Sequence, residues 1–517
     1  MLDTSRLGGN DMAIVDIKKY KRYERQRRKF NELEKLDTVL KRQLMIKYGM
    51  AMMYVSKGKN SVFMTRGRHS EQVAEIGANL ARTLGGDDEK ARRIGIAHDF
   101  GHTTLAHNGE TGLARFLNSP EEFSESDELN VRSFFDHSKH GTKILKITCA
   151  RAGVEIPDYL LNGIESHSSG SNSKGTVNCE SFEAECIMRA DKIASSISDT
   201  QDMLKAGAFD LSDESLKKVL DNNEEVRKTI AKRVFGDYKN NEDDLDKMIE
   251  RAIRLGGKNA EKLKELKNTP KEGNGEKILR ILDEVKKQEV DRYIAQIKVF
   301  IRLKPEQQRT RMVNLIVDGV ERKGVKIDTT PTENYSQKYP KGQLEVTPNA
   351  EAILAGLRGL LIGMENERKL GKMGCELDSL VETCARYVYK NKQEFEHKWP
   401  FRNWQKDENG EKIDWKEQVA YGIAQMTDRK FKDFCKKLIQ REDARVAFCN
   451  VKYRDPRDTE YMKKHKDVKL PYSTYDFSTN EGIENAFEVD VNRKYQEPMY
   501  IQVGGKREVR GDRGPQK

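Results

Sequence analysis

Residues 96–110 read IAHDFGHTTLAHNGE, and this stretch decides what kind of molecule the chain builds. His98 and Asp99 are adjacent at the end of an apolar helical pattern that puts Ala91, Ile94 and Ala97 on one face, so both side chains can reach one ion. His102 follows one helical turn later, on the side of His98. Gly101 and the pair Thr103 and Thr104 then let the chain turn. His107 and Glu110 stand at i and i+3, neighbours on a helix. A carboxylate beside an imidazole fixes its tautomer and raises its basicity, as general acid–base work requires. Any one of these histidines alone reads as an ordinary surface side chain. The Ile-Ala before His98 and Asp99 buries that pair and argues otherwise.

Of nine histidines in the chain, seven (His69, His98, His102, His107, His137, His140 and His167) lie between positions 69 and 167, a crowding typical of metal or phosphoryl-transfer sites. His69 stands in TRGRHSEQVAEIG at the start of an amphipathic helical pattern. Asp191 stands in SFEAECIMRADKIASSISD, inside another helical pattern whose apolar residues would leave a buried carboxylate unpaired. Such burial is unfavourable, so a metal partner is the simpler explanation. Two imidazoles and two carboxylates form a mixed nitrogen and oxygen set suited to a divalent ion. Mn2+ or Mg2+ is the first expectation, with Fe2+, Co2+ and Ni2+ as alternatives.

Composition narrows the setting. Hydrophobic residues make up 36% of the 517 and charged residues 34%, so the surface is extensive and well solvated. No apolar run reaches the roughly 18 residues of a membrane span. The N-terminus lacks the basic-then-apolar layout of a secretion signal. The seven cysteines form no CxxC pair, which suits a reducing cytoplasm and argues against a disulfide framework or a zinc ribbon. A net charge of +10 favours polyanionic partners, nucleotides or nucleic acid, although a basic surface without a specific partner explains it equally well.

Helical patterning dominates, so the expected fold class is mainly α, and no GxxxxGK[ST] phosphate loop is present. The expected organisation is an N-terminal basic helical region (1–60, with KKYKRYERQRRKF at 18–30), a core at 61–208, a charge-dense helical region or insertion at 209–310, a C-terminal helical part at 311–450, and an extension at 451–517 with a disordered basic tail.

The order His69, His98-Asp99, Asp191 resembles the metal motif of the HD superfamily, helical phosphohydrolases in the main. Several segments are similar to its bacterial dGTP triphosphohydrolases: RHSEQVAEIG (68–77), AHDFGHTTLAHNGE (97–110), FFDHSKHGTKIL (134–145), YLLNGIESHSSG (159–170), SFEAECIMRADKIASSISDTQDMLKAG (181–207) and VAYGIAQMTDRKF (419–431). The resemblance implies an HD-domain helical fold with additional peripheral helical regions, and hydrolysis of deoxynucleoside triphosphates to deoxynucleoside and inorganic triphosphate. It implies His69, His98, Asp99 and Asp191 as metal ligands, His102 and His137 at the substrate phosphates, and His107, supported by Glu110, at the α-phosphate or the leaving 5′-oxygen. Asp199 would meet the sugar 3′-hydroxyl. Arg66, Arg68 and Lys192 are candidates to cradle the polyphosphate or, equally, ordinary surface cations. Asp428 and Arg429 fall in a motif assigned to structure or assembly. A homo-oligomer and a nucleotide or nucleic-acid effector are also implied.

Three departures stand out. Ser195 occupies the position where the family carries a tyrosine against the deoxyribose, Thr103-Thr104-Leu105-Ala106 replaces Pro-Pro-Phe-Gly, and the first sixty residues do not follow the family's N-terminal block. Sugar and base preference stay open. So do two other readings: an HD phosphodiesterase or nucleotidase in which His137, His140 and His167 hold a second metal, and a nucleotide or nucleic-acid sensor that retains the pocket.

Overall fold

In a computed structural model, the described residues are 17–51, 63–118, 135–167, 179–205, 207–236, 275–322, 347–366, 371–449 and 476–487, with a few short stretches between them. The side chains of the basic stretch before Asn31, most of the loop at 325–348 and the C-terminal tail lie outside them. The chain is mainly α. Its helices are α1 (Ile17–Lys47), α2 (Arg66–Thr83), α3 (Asp88–Ala97), α4 (Ala106–Asn118), α5 (His137–Ala152), α6 (Asp158–Ser166), α7 (Phe182–Lys205), α8 (Asp213–Leu216), α9 (Glu224–Phe235), α10 (Gly275–Ile301), α11 (Pro305–Arg322), α12 (Pro348–Asn366), α13 (Gly371–Lys390), α14 (Lys392–Phe395), α15 (Trp415–Ala424), α16 (Asp428–Leu438), α17 (Glu442–Cys449) and α18 (Asn480–Phe487). Among the described residues the only strands are two of two residues each, Val468–Lys469 and Ile501–Gln502, paired antiparallel. No helix among them is long and apolar enough to cross a membrane.

The helices that carry the histidines are set by short-range signals. Thr65 caps α2 by accepting from the amide of Arg68, and Asp87 caps α3 by accepting from Glu89 and Lys90. These side-chain oxygens satisfy amides that the first helical turn leaves unbonded. Asp136 does the same for α5, which ends on Gly153 in the left-handed conformation. Along α2, Val73, Ile76, Gly77, Leu80 and Ala81 form the buried stripe. α3 crosses α2 very closely: a Cβ on Gly95 would sit 2.5 Å from the Cα of Ala74, so only glycine lets the two backbones approach this far.

Among the described residues two large hydrophobic cores result, with a small third cluster of Ile144, Ile147, Trp404, Ile413 and Tyr421. The first gathers α1–α3, α5–α12 and the loops between them, with Val73, Leu80, Ile94, Leu145, Ile187 and Ile197 near its centre. The charge-dense helices after residue 209 contribute Leu216, Leu220, Val226, Ile230 and Phe235 to it. The second gathers α4, α13 and α15–α18 around Leu113, Leu380, Val419 and Phe431. Burying each such large aliphatic or aromatic side chain contributes about 1.5–3 kcal/mol. Phe100 belongs to the first core and Leu105 to the second. The segment His98–Leu105 therefore passes from one core to the other, and the site lies at that crossing.

Candidate active site

The tertiary fold brings together side chains from α2, α3, the following loop, α4, α5, α6 and α7. His69 sits in the first turn of α2, and its Nε2 is 3.0 Å from Asp191 Oδ1 on α7. His98 and Asp99 follow α3 directly. The Nδ1 of His98 donates to the carbonyl of Gly95 at 2.7 Å, which fixes the tautomer and turns Nε2 toward Asp99 Oδ1 (3.2 Å) and Asp191 Oδ1 (3.7 Å). His167, at the end of α6, repeats the device: its Nδ1 donates to the carbonyl of Ile164 at 2.6 Å, and its Nε2 stands 3.9 Å from Asp99 Oδ1. His102 Nε2 lies 3.2 Å from that same oxygen. The other Asp99 oxygen accepts from Arg66 Nη1 at 2.8 Å.

His69, His98, Asp99, His102 and Arg66 are all buried, while Asp191 keeps 28% of its side chain exposed. Burial opposes charge on both carboxylates. The neighbouring imidazoles outweigh it and hold Asp99 and Asp191 well below the usual carboxylate range. Burial also pushes His98 down, and Asp99 and Asp191 overcome it, raising the imidazole to about 9.

This donor set fits a divalent cation. His98 Nε2 is buried and makes no hydrogen bond among the described residues. With Nδ1 already donating, its lone pair faces two carboxylates, an arrangement that repels unless a proton or a metal ion lies between. Ligand atoms of His69, His98 and Asp99 lie within 4.8 Å of one another, and Asp191 completes the set through its 3.0 Å approach to His69.

A second group adjoins the first. Glu110 on α4 meets three imidazoles: a short hydrogen bond to His102 Nδ1, one of 3.1 Å to His107 Nδ1, and a 3.6 Å approach to His137 Nδ1. The His102 and His137 rings stack at 3.9 Å. Close backbone contact makes this possible, because a Cβ on Gly101 would fall 1.6 Å from the carbonyl oxygen of His137. Burial, then Arg66 and His137, lower His102 to about 4, so it is neutral and donates to an ionised Glu110. His107 has 72% of its side chain exposed and points one ring edge into solvent space beside this group.

On α7, Ser195 and Asp199 follow Asp191 at one and two turns, both half-buried. Ser195 Oγ donates back to the carbonyl of Asp191 at 2.7 Å. Lys192 is held below its ordinary value by burial and then by Arg189 and Arg233, with Arg358 also contributing, so cations from α7, α9 and α12 act on the residue next to Asp191. The charge pattern of the sequence does not single out Arg189, Arg233 or Arg358, because only the fold brings α12 onto α7 and α9 onto α12. Arg68 is exposed, and Arg66 is engaged with Asp99. His140 turns away from the metal-type group: its Nδ1 bonds the carbonyl of Gly101 at 2.7 Å and its ring stacks on Tyr421 at 5.1 Å.

An all-helical domain with an imidazole at the head of one helix, a His-Asp pair after the next and an aspartate on a third resembles the arrangement of the HD domain family. Residues 66–196 match that family, and the span contains His69, His98, Asp99 and Asp191. The chain is similar to a deoxyguanosinetriphosphate triphosphohydrolase-like protein of Clostridium tetani, at 29% identity over 152 residues, 29% of this chain and 40% of the relative. It is 30% identical over 175 residues to deoxyguanosinetriphosphate triphosphohydrolase-like protein 1 of Mesorhizobium japonicum, covering 29% and 40%. With the protein of that general name from Geobacter metallireducens it shares 32% identity over 156 residues, covering 29% and 38%. The chain thus spans about two fifths of the length of these relatives.

Proposed function

We propose that this chain is an HD-type phosphohydrolase that cleaves deoxynucleoside triphosphates to deoxynucleoside and inorganic triphosphate. The observation that carries the reading is the convergence of His98 Nε2 and His102 Nε2 on one oxygen of Asp99, beside a Glu110 that orients His107. His69, His98, Asp99 and Asp191 would hold a divalent ion. When bound, such an ion supplies Lewis-acid stabilisation of charge developing on the phosphate oxygens.

The chain's own groups supply the rest. Phosphoryl transfer is limited mainly by positioning and charge. Lys192 and the cations around it provide positive potential for a polyphosphate, and His102 and His137 form a stacked imidazole wall for the α-phosphate. Water attacks the α-phosphorus and the bond from phosphorus to the 5′-oxygen breaks. His107, as the imidazolium, delivers its Nε2 proton to that oxygen, and the proton shed by the attacking water passes to solvent, from which His107 is reprotonated. Glu110 holds His107 by its Nδ1, leaving Nε2 for this transfer. Asp199 is proposed to meet the sugar 3′-hydroxyl, with Ser195 beside it.

A second reading, a nucleotidase or phosphodiesterase using two ions, is favoured by one observation: His102, Glu110 and His137 also offer ligand atoms within 4.8 Å of one another. One experiment separates these readings and a binding-only sensor. The purified chain is incubated with Mn2+ or Mg2+ and each dNTP and NTP, and products are resolved by anion exchange, with metal counted by mass spectrometry. Inorganic triphosphate with one ion per chain is expected. Pyrophosphate or monophosphate overturns the triphosphohydrolase reading, and no turnover overturns the enzyme. Assembly into a homo-oligomer, a cytoplasmic setting, a nucleotide effector and the domain boundaries at 60, 208, 310 and 450 belong to the same proposal.

A further inference from the structure

Two ionisable side chains outside the proposed chemistry grip the segment between His102 and His107. Lys47, the last residue of α1, is fully buried, and its Nζ donates to the carbonyl of His102 at 2.6 Å. Asp428, the first residue of α16, engages both carboxylate oxygens. Oδ1 accepts from the amide of Leu105 at 2.9 Å and from Thr104 Oγ1 at 3.0 Å, and Oδ2 accepts from the amide of Ala51 at 2.8 Å. The two grips brace each other, since the Asp428 amide donates to the carbonyl of Gly49 at 3.0 Å, within the turn that follows Lys47. A fourth bond, from the Thr104 amide to the carbonyl of Ala424 at 3.2 Å, ties the same loop to α15.

What they hold is strained. Leu105 has φ +60°, the left-handed region that L-residues with branched side chains avoid, and its side chain is buried in the second core. A residue in that conformation relaxes unless its surroundings over-determine it. Relaxation here would swing the start of α4, and with it His107 and Glu110, while His98 and Asp99 stay fixed by α3.

We propose that Lys47 and Asp428 are positioning residues, a clamp that keeps residues 102–105 in the conformation setting His107 and Glu110 against His102. This rests on the functional reading above only in that His107 acts on substrate. A clamp of this kind governs kcat rather than metal retention, because its contacts stop at the backbone after the metal-type group.

The test is Asp428→Asn in the full chain. An amide can accept on one side only, so it cannot serve both Leu105 and Ala51. The expected result is retained Mn2+, KM for dGTP within about twofold, kcat lower by about 10- to 100-fold, the scale of a small displacement of a catalytic group, and faster deuterium uptake at amides 103–107. Unchanged kcat with unchanged uptake overturns the clamp. Loss of the metal together with activity also overturns it, since Asp428 would then support the whole site. Should Asp428→Asn not fold, Thr104→Val removes only one hydroxyl and is expected to shift uptake and kcat in the same direction by less; no shift in either overturns the proposal. If the wild-type chain turns over no nucleotide, the functional reading fails, and deuterium uptake alone still decides the clamp.

Discussion

His98 and His102 face the same oxygen of Asp99 at the same distance, 3.2 Å, yet they belong to groups of opposite character. His98 looks at two carboxylates, which overcome its burial and raise it to about 9. His102 is equally buried and also meets two carboxylates, Asp99 and Glu110, but burial together with Arg66 and the stacked His137 outweighs them, and it falls to about 4. In the first group the carboxylates outnumber the cations and create a place for a positive ion. In the second, one carboxylate serves three imidazoles and sets their orientation. Sharing Asp99 couples the groups, but substitutions should still separate them.

The sharpest separation comes from Asp99→Asn and His98→Ala. Each is expected to remove bound Mn2+ and bring turnover below detection, read by metal content and product release. Asp99 also pairs with buried Arg66, and breaking a buried ion pair destabilises by about 3–5 kcal/mol. The Asp99 variant should therefore melt well below the His98 variant. Retained metal in either variant would erase the distinction between the groups.

His107→Ala tests the other side. It should keep the metal and lose roughly a hundredfold to ten-thousandfold in kcat, the usual worth of general acid–base help. Because His107 is mostly exposed, its removal should leave the melting temperature nearly unchanged. Metal loss, or wild-type turnover, contradicts the division of labour.

Much of this contrast was legible in the sequence, and the remainder was not, for a definite reason. The helices carrying His69, His98 and Asp191 announced themselves through apolar periodicity, and the pairing of His107 with Glu110 follows from i, i+3 spacing alone. Lys47 did not stand out, because a lysine in a basic helix reads as a solvated charge until the fold places a carbonyl 55 residues away against it. Asp428 lies 323 residues from the amide it accepts, a relationship no local spacing encodes. Arg66 reads as a candidate phosphate cation, and its proximity to Asp99 appears only when α2 crosses α3. Periodicity reports the face of an element; which elements meet is decided by the packing of both cores.

Protons give a third separation. His102, His140 and His167 are lowered to about 4, 3 and 3, in each case chiefly by burial. They are neutral when folded, whereas the unfolded chain protonates them near 6.5. The unfolded state then binds more protons, so stability is full above that pH and is lost as pH falls toward 4, by roughly 1 kcal/mol per pH unit for each. His98 behaves oppositely in metal-free protein. Its contribution is full below 6.5 and lost as pH rises through about 9. Melting curves with EDTA should fall on both sides of neutrality, and Mn2+ should flatten the alkaline side by taking the proton's place on His98. A melting temperature constant from pH 5 to 7 would remove the case for buried neutral histidines.

The smallest effect lies at the rim of the first group, one turn beyond Asp191. On the proposed function, a tyrosine at position 195 would set a ring against the sugar's C2′ face, leaving no room for a ribose hydroxyl. Ser195 carries no ring there, and its own hydroxyl is already committed to the Asp191 carbonyl. Four aromatics of the chain, Tyr159, Phe182, Tyr387 and Tyr389, are candidates to fill the gap, and each is engaged elsewhere. Tyr387 bonds Asp443, Tyr389 packs on Phe116, Phe182 is buried in the first core at the head of α7, and Tyr159 packs against that core. Discrimination between dGTP and GTP should therefore be weaker than a ring at this position would give, by about 1–3 kcal/mol, the scale of a single small-group mismatch. The ratio of kcat/KM for dGTP over GTP is measured in wild type and in Ser195→Tyr, with metal content as control. A higher ratio in the tyrosine variant at equal metal content supports the idea. A large wild-type ratio that the substitution leaves unchanged or lowers means that the sugar is read from the opposite wall, by the stacked His102 and His137, and the reading of α7 as the sugar-facing helix falls with it.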